Sequence, residues 1–224
     1  MKLYKKIGIL GGMGPEATAE LYREIIRIFQ KKYGAVYDND FPEMVILNLP
    51  LPDVVENLES DYEIKRVLDY GIKKLISAEV DFIAVPCNTA TAFIIDDVFF
   101  VNIIAETIKI IKDQKLKKVG ILATRTTIGS GLYQKLLKDI KLLIPDSNDQ
   151  EKITKIIMNI LSGEKSSEDK NLLCSMISNM KINGAEKVIL GCTELPLLYK
   201  GEDTIDTLAI LANAVVKRAI TKII

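Results

Sequence analysis

Residues Ile83-Ala84-Val85-Pro86-Cys87-Asn88-Thr89-Ala90 and Val188-Ile189-Leu190-Gly191-Cys192-Thr193-Glu194 carry the reading of this chain. Each is a short apolar run, then a turn-forming residue, then a cysteine followed by hydroxyl or amide side chains. Such β-branched runs predict buried strands. The cysteine then falls where a strand ends and a helix begins, the edge at which α/β sheets bind ligands. The two cysteines lie 105 positions apart, near the ends of what read as matching halves. The expectation is that they face each other across one substrate.

The flanking sequence repeats the pattern. Lys5-Lys6-Ile7-Gly8-Ile9-Leu10 predicts a first strand, and Gly11-Gly12-Met13-Gly14 a glycine-rich turn. Pro15 suits the first turn of a helix. The spacing of Ala17, Leu21, Ile25, Ile28 and Phe29 predicts that helix over residues 16–32. A strand follows at residues 44–49, a helix at 62–78, and a short strand near 101–104. Lys117-Lys118-Val119-Gly120-Ile121-Leu122 echoes the first strand at a spacing of 112, half the chain. Helices are then expected over 128–142, 149–161, 167–182 and 206–222. Strands alternating with helices imply parallel sheets. The fold class expected is α/β, with two pseudo-symmetric lobes and the active site in the cleft between them. Residues 1–104 with 206–224 form the first lobe in this reading, and 105–205 the second.

Composition narrows the function. The 30 basic and 30 acidic residues balance to zero net charge, unlike the basic surface a nucleic-acid binder needs. No apolar run approaches bilayer length. The N-terminal residues lack the apolar core of a signal peptide, so a cytoplasmic location is expected. Three cysteines in a reducing compartment are expected as free thiols. The chain contains no histidine. That removes Cys–His and Ser–His–Asp nucleophile systems and imidazole zinc sites. Three scattered cysteines without a Cys-x-x-Cys make a thiolate zinc site a poor fit, and no metal is expected. Acid–base chemistry must therefore use cysteine, carboxylates, lysine or tyrosine.

Two motifs have bland and functional readings. Gly12-Met13-Gly14-Pro15-Glu16-Ala17 formally matches a dinucleotide fingerprint. Pro15 removes a donor, however, and Glu16 puts negative charge where a pyrophosphate would lie. The alternatives are a structural turn, or backbone N–H groups that meet a small carboxylate. Cys174, in a helical apolar pattern, reads as a small hydrophobe. Cys87 and Cys192 differ, because both end strands beside polar groups. One thiolate and one thiol on opposite faces of a carbon form a two-base device. One removes a proton and the other returns it from the far side, inverting a stereocentre without a cofactor.

Several motifs together resemble the aspartate/glutamate racemase family, the cofactor-independent members of the Asp/Glu/hydantoin racemase superfamily. They are Ile7 through Thr18, Pro86-Cys87-Asn88-Thr89-Ala90, Leu122-Ala123-Thr124 through Thr127, Ser130-Gly131-Leu132-Tyr133 and Gly191-Cys192-Thr193-Glu194-Leu195-Pro196. The resemblance implies interconversion of L- and D-aspartate, or of glutamate, without pyridoxal phosphate, in a homodimer. It places the acid/base roles on Cys87 and Cys192 and substrate contacts on Asn88, Thr89 and Ala90. Met13, Thr127 and Thr193 become further wall residues. Three positions depart from the family pattern. Thr91 stands where the family has histidine. Val54 follows Pro52-Asp53 where an arginine holds the side-chain carboxylate, and Ser162 stands where a lysine is common. Lys165 and Arg125 are the candidate replacements for that carboxylate contact. Related single-cysteine enzymes decarboxylate or isomerise small dicarboxylates, and a homologue that binds without turnover is the non-enzymatic alternative.

Overall fold

Two parallel sheets absorb the alternation of apolar runs and amphipathic helices. The computed structural model describes residues 4–51, 61–94 and 98–220. In the first sheet β1 (Ile7–Gly11), β2 (Met44–Asn48), β3 (Phe82–Ala84) and β4 (Phe100–Val101) lie in the order β2-β1-β3-β4. In the second, β5 (Lys118–Leu122), β6 (Lys141–Leu143), β7 (Lys187–Leu190) and β8 (Thr204–Asp206) lie in the order β6-β5-β7-β8. All six pairings are parallel. Each strand of the first sheet has a counterpart in the second, so the recurrence at residue 117 is a recurrence of topology. In both sheets the first and third strands are the central pair. Their carboxyl ends bring residues 11–14, 85–89, 123–127 and 191–194 to the sheet edges where α/β folds bind ligands.

The helices cover the sheets with the stripes their spacing predicts. α1 (Pro15–Tyr33) buries Ala17, Leu21, Ile25, Ile28 and Phe29. Pro15 opens it, and Gly34 ends it in the left-handed conformation. α2 (Asp61–Ser77) packs against β1 and β2. A one-turn α3 (Asn88–Thr91) follows Cys87, and α4 (Ile103–Asp113) is capped by the Asn102 side chain. α7 (Ser147–Leu161) and α8 (Ser167–Ile182) pack on each other and bury Ile153, Ile156, Ile157 and Ile160 with Leu173, Met176 and Ile177. The last helix, α10 (Thr207–Ala219), lies along α1 and α4.

The structure corrects two expectations. The helix expected over 128–142 is two short helices, α5 (Arg125–Gly129) and α6 (Leu132–Leu136), followed by strand β6. Gly131 between them has φ of 67°, a left-handed conformation that no helix continues through. The strand expected near 101–104 stops at Val101, because Asn102 caps α4 with hydrogen bonds from the Ile104 and Ala105 N–H groups.

One apolar cluster joins the two sheets. It contains Ile7, Ile9 and Ala84 of the first, Val119, Ile121 and Ile189 of the second, and Leu211, Val215 and Val216 of α10. Leu211 is fully buried within it. Leu211→Ala is expected to lower the unfolding free energy by about 2–5 kcal/mol. Because the cluster spans both sheets, denaturant titration should still give one transition. A change under about 0.5 kcal/mol, or separate unfolding of the two halves, would overturn this account of the core.

Candidate active site

The chain leaves β3 through Val85-Pro86 and reaches Cys87 in an extended conformation. Cys87 is the N-cap of α3, and its sulfur takes the place of the usual capping oxygen. Its Sγ accepts the Ala90 N–H at 3.3 Å. Thr91 donates its hydroxyl to the Cys87 carbonyl at 2.8 Å, which closes this single turn. On the other side, Gly191 donates its N–H to the Leu122 carbonyl at 2.8 Å. This holds the end of β7 beside β5. The next residue, Cys192, donates its thiol to Glu194 Oε2 at 2.9 Å. Both cysteines are free thiols, each 7% exposed.

Glu194 reaches across the molecule. Its Oε1 accepts the Gly14 N–H at 3.1 Å, at the start of α1. A side chain at Gly14 would place Cβ 2.8 Å from Leu161 and 3.0 Å from Glu194 Oε1. Glycine is what lets the carboxyl come this close. Gly12 donates its N–H to Thr18 Oγ1 at 3.0 Å. The glycine turn therefore spends these two donors on the protein's own side chains, a carboxyl group among them. That is not how a pyrophosphate loop works.

Hydroxyl and amide groups fix the rest of the wall. The Thr89, Thr124 and Thr127 hydroxyls lie 2.9–3.0 Å from one another. Thr124 also caps α5 by accepting the Thr127 N–H. Asn88 is held at both ends. Its Oδ1 accepts the Tyr133 hydroxyl at 2.8 Å, and its Nδ2 donates to Thr207 Oγ1 at 3.2 Å. Thr207 in turn donates to the Leu190 carbonyl. The Thr193 hydroxyl donates to the Pro86 carbonyl at 3.0 Å, one residue before Cys87.

These elements enclose a cavity of about 170 Å³. Residues 12–15, 87–89 and 191–194 line it, together with Leu51, Thr124 and Leu161. Both cysteines face it. Burial pushes the Cys87 thiol up to about 12, against the pull of the Ala90 N–H. Burial also raises Cys192, and the neighbouring Glu194 charge raises it further. Burial raises Glu194 in turn. Three groups that resist ionisation thus share one small space, and among the described residues no lysine or arginine lines it. No cluster of His, Cys, Asp and Glu side chains suited to a metal ion is present among the described residues.

A family model described as Asp/Glu/Hydantoin racemase matches residues 10–215. The chain belongs to this family. It is 34% identical over 195 residues to the broad specificity amino-acid racemase RacX of Bacillus subtilis, covering 84% of this chain and 85% of that protein. An aspartate racemase of Picrophilus torridus superposes with a TM-score of 0.81 at 30% identity, covering 96% of this chain and 94% of that one. An aspartate racemase homologue from Pyrococcus horikoshii gives 0.75 at 28% identity, over 96% and 99%.

The positions named from sequence fall into three groups. Cys87, Cys192, Met13, Asn88, Thr89 and Thr193 line the cavity. Ala90 and Thr127 stand just behind it, Ala90 bonded to the Cys87 sulfur and Thr127 to Thr89. Lys165 is paired with Glu16 at 2.7 Å, and Arg125 lies on the surface 3.7 Å from Glu151. Neither is among the lining residues. Ser162 turns its hydroxyl back to the Asn159 carbonyl at the end of α7. Val54 lies outside the described residues. Glu194, Leu51 and Leu161 were not anticipated. Glu194 had a signal, two positions after a strand-end cysteine, but its bond to Gly14 spans 180 residues.

Raised thiol pKa values leave less thiolate at any given pH. At pH 8, iodoacetamide is expected to label the half-buried Cys174 first. Cys87 and Cys192 should lag by at least about tenfold. Labelling of Cys87 should then climb roughly tenfold per pH unit toward pH 11. Peptide mapping by mass spectrometry checks this. Equal labelling of the three thiols at pH 8 would overturn the burial argument.

Proposed function

We propose that this chain is an amino-acid racemase, independent of pyridoxal phosphate, which exchanges the α-proton between Cys87 and Cys192. The observation that carries this reading is the placement of two buried thiols. They occupy equivalent strand ends of two matching sheets, and both face one cavity. One sulfur, as thiolate, takes the Cα proton, and the other thiol delivers a proton to the opposite face. The Cα–H bond broken on one side is replaced on the other, and the two cysteines exchange protonation states. Substrate binding supplies what the empty site lacks. The α-ammonium group brings a positive charge beside the thiols, which favours a thiolate. In this reading Asn88, Thr89 and Thr193 contact the ammonium and carboxylate groups common to all amino acids. The cleft divides a first lobe of residues 1–104 and 206–224 from a second of 105–205. Two cysteines at matching sites favour racemisation over single-thiol decarboxylation or isomerisation.

Aspartate, with glutamate beside it, is the substrate that the motif resemblance supports. The name of the Picrophilus torridus relative supports it too. A second reading takes the lining itself as guide. Met13, Pro15, Leu51 and Leu161 present apolar groups, and no cation among the described lining residues faces an acidic side chain. This favours small uncharged amino acids, in keeping with the broad specificity in the name of the Bacillus subtilis relative.

Exchange of the α-proton in deuterated water, followed by NMR, tests both readings. Acidic, small neutral and apolar amino acids, each as the pure enantiomer, form the panel. Deuterium is expected at Cα together with the opposite enantiomer. Cys87→Ser and Cys192→Ser should each lower racemisation by at least about 10²-fold. Faster exchange with neutral substrates selects the second reading, and faster exchange with aspartate the first. No exchange with any member, or full racemisation by either serine variant, would overturn the two-thiol assignment.

A further inference from the structure

Among the described lining residues, Asn88 carries the side-chain amide of the cavity wall. An amide has two unlike ends, a nitrogen that donates and an oxygen that accepts. Two neighbours decide which end lies where. Thr207 gives its own proton to the Leu190 carbonyl at 2.9 Å, so toward Asn88 its oxygen can only accept. The end that meets it at 3.2 Å is therefore Nδ2. Oδ1 then faces Tyr133, whose hydroxyl donates to it at 2.8 Å. With the amide reversed, two oxygens with no proton between them would meet at Thr207.

On the racemase reading, we propose that Tyr133 is a positioning residue, whose hydroxyl locks Asn88 so that a free Nδ2 N–H is held for the carboxylate of a bound amino acid. Tyr133 is not among the lining residues, so it acts through Asn88. Its hydroxyl occupies the amide oxygen, and Thr207 takes one N–H. The other N–H meets no acceptor among the described residues, and it belongs to a side chain in the cavity wall. A carboxylate accepts it, whereas an ammonium group offers only donors. The locked amide thus orients the substrate as well as holding it.

The break in the expected long helix serves this contact. Gly131, in its left-handed conformation, separates α5 from α6, so Tyr133 turns inward instead of continuing along the axis of α5. α6 packs against α4 and α5, and the Tyr133 side chain is fully buried. Burial pushes its phenol up, so it keeps its proton and remains a donor. Tyr133 lies between β5 and β6 of the second sheet, while Asn88 follows β3 of the first. The bond therefore joins the two halves of the molecule at the cavity wall.

A double-mutant cycle separates positioning from packing. Tyr133→Phe removes the hydroxyl and keeps the ring in the core. Exchange of the α-proton is measured with the amino acid that the wild type exchanges fastest. Tyr133→Phe is expected to lower kcat/KM by about five- to twentyfold. Most of the loss should lie in KM, because the N–H to carboxylate contact is made before and during proton transfer. In an Asn88→Ala background the same substitution should change kcat/KM by less than about twofold, since the residue it acts through is gone. If circular dichroism shows Asn88→Ala unfolded, Asn88→Ser carries the cycle. NMR adds a readout that needs no turnover. The Asn88 side-chain NH2 pair, assigned by its loss in the Asn88 variant, should shift in Tyr133→Phe and exchange with solvent at least about tenfold faster. A kcat/KM within about twofold of wild type, an equal loss in both backgrounds, or an unmoved NH2 pair overturns the proposal. Absence of α-proton exchange in the wild type removes the racemase reading, whereas an unmoved NH2 pair removes the Tyr133 lock, so the two failures are distinct.

Discussion

A buried carboxyl group must be hydrogen-bonded, and the partners of Glu194 connect both halves of the molecule. At 3% exposure it has almost no access to water. Its oxygens meet the Gly14 N–H at the head of α1 and the Cys192 thiol at the end of β7. The neighbouring Thr193 ties back to Pro86, beside the other cysteine. The glycine turn, the β3 exit and the β7 exit are thus fixed relative to one another through residues 193 and 194. A substitution that breaks these bonds disturbs the surroundings of both thiols.

Duplication explains the architecture, and departures from it make the surroundings of the two cysteines unlike. Equivalent strand orders place Cys87 and Cys192 at equivalent sheet edges. The residues just beyond the two cysteines are not equivalent. After Cys87 comes one helical turn, whose Ala90 N–H points at the sulfur and whose Thr91 hydroxyl closes the turn. After Cys192 come Thr193 and Glu194, and α9 (Leu195–Leu198) begins only later. The two-thiol proposal needs one acid and one base at a time, and two differently served thiols suit it without any further symmetry.

The sheets and cysteines were legible because their signals are local. An apolar run, a turn former and a polar cluster specify a strand end within eight residues, and the repeat at 117 supplies the second copy. The short strands β6 and β8 were not legible. Lys141–Leu143 and Thr204–Asp206 carry only three residues each, too few for an apolar run or an alternation to stand out. The break at Gly131 lies inside a region whose apolar spacing suits a helix, and only the backbone conformation reveals it. The site was half legible. Cys87, Asn88 and Thr89 are neighbours in one motif, whereas the threonine trio joins residues 89, 124 and 127, and Leu51 and Leu161 reach the cavity from separate elements.

Charge is where the motif resemblance and the cavity part company. An acidic substrate brings two carboxylates and one ammonium, and on the two-thiol proposal the thiols carry one more negative charge during turnover. Glu194 adds another unless it is protonated. Among the described residues, the two cations considered for the second carboxylate are elsewhere, Lys165 on Glu16 and Arg125 near Glu151. In so small and apolar a space each unpaired charge costs several kcal/mol, on the order of the whole binding energy of a small ligand. A neutral side chain leaves a substrate of zero net charge, so the occupied site holds one negative charge fewer than with an acidic substrate. That balance, more than the shape of the cavity, is what favours an uncharged amino acid.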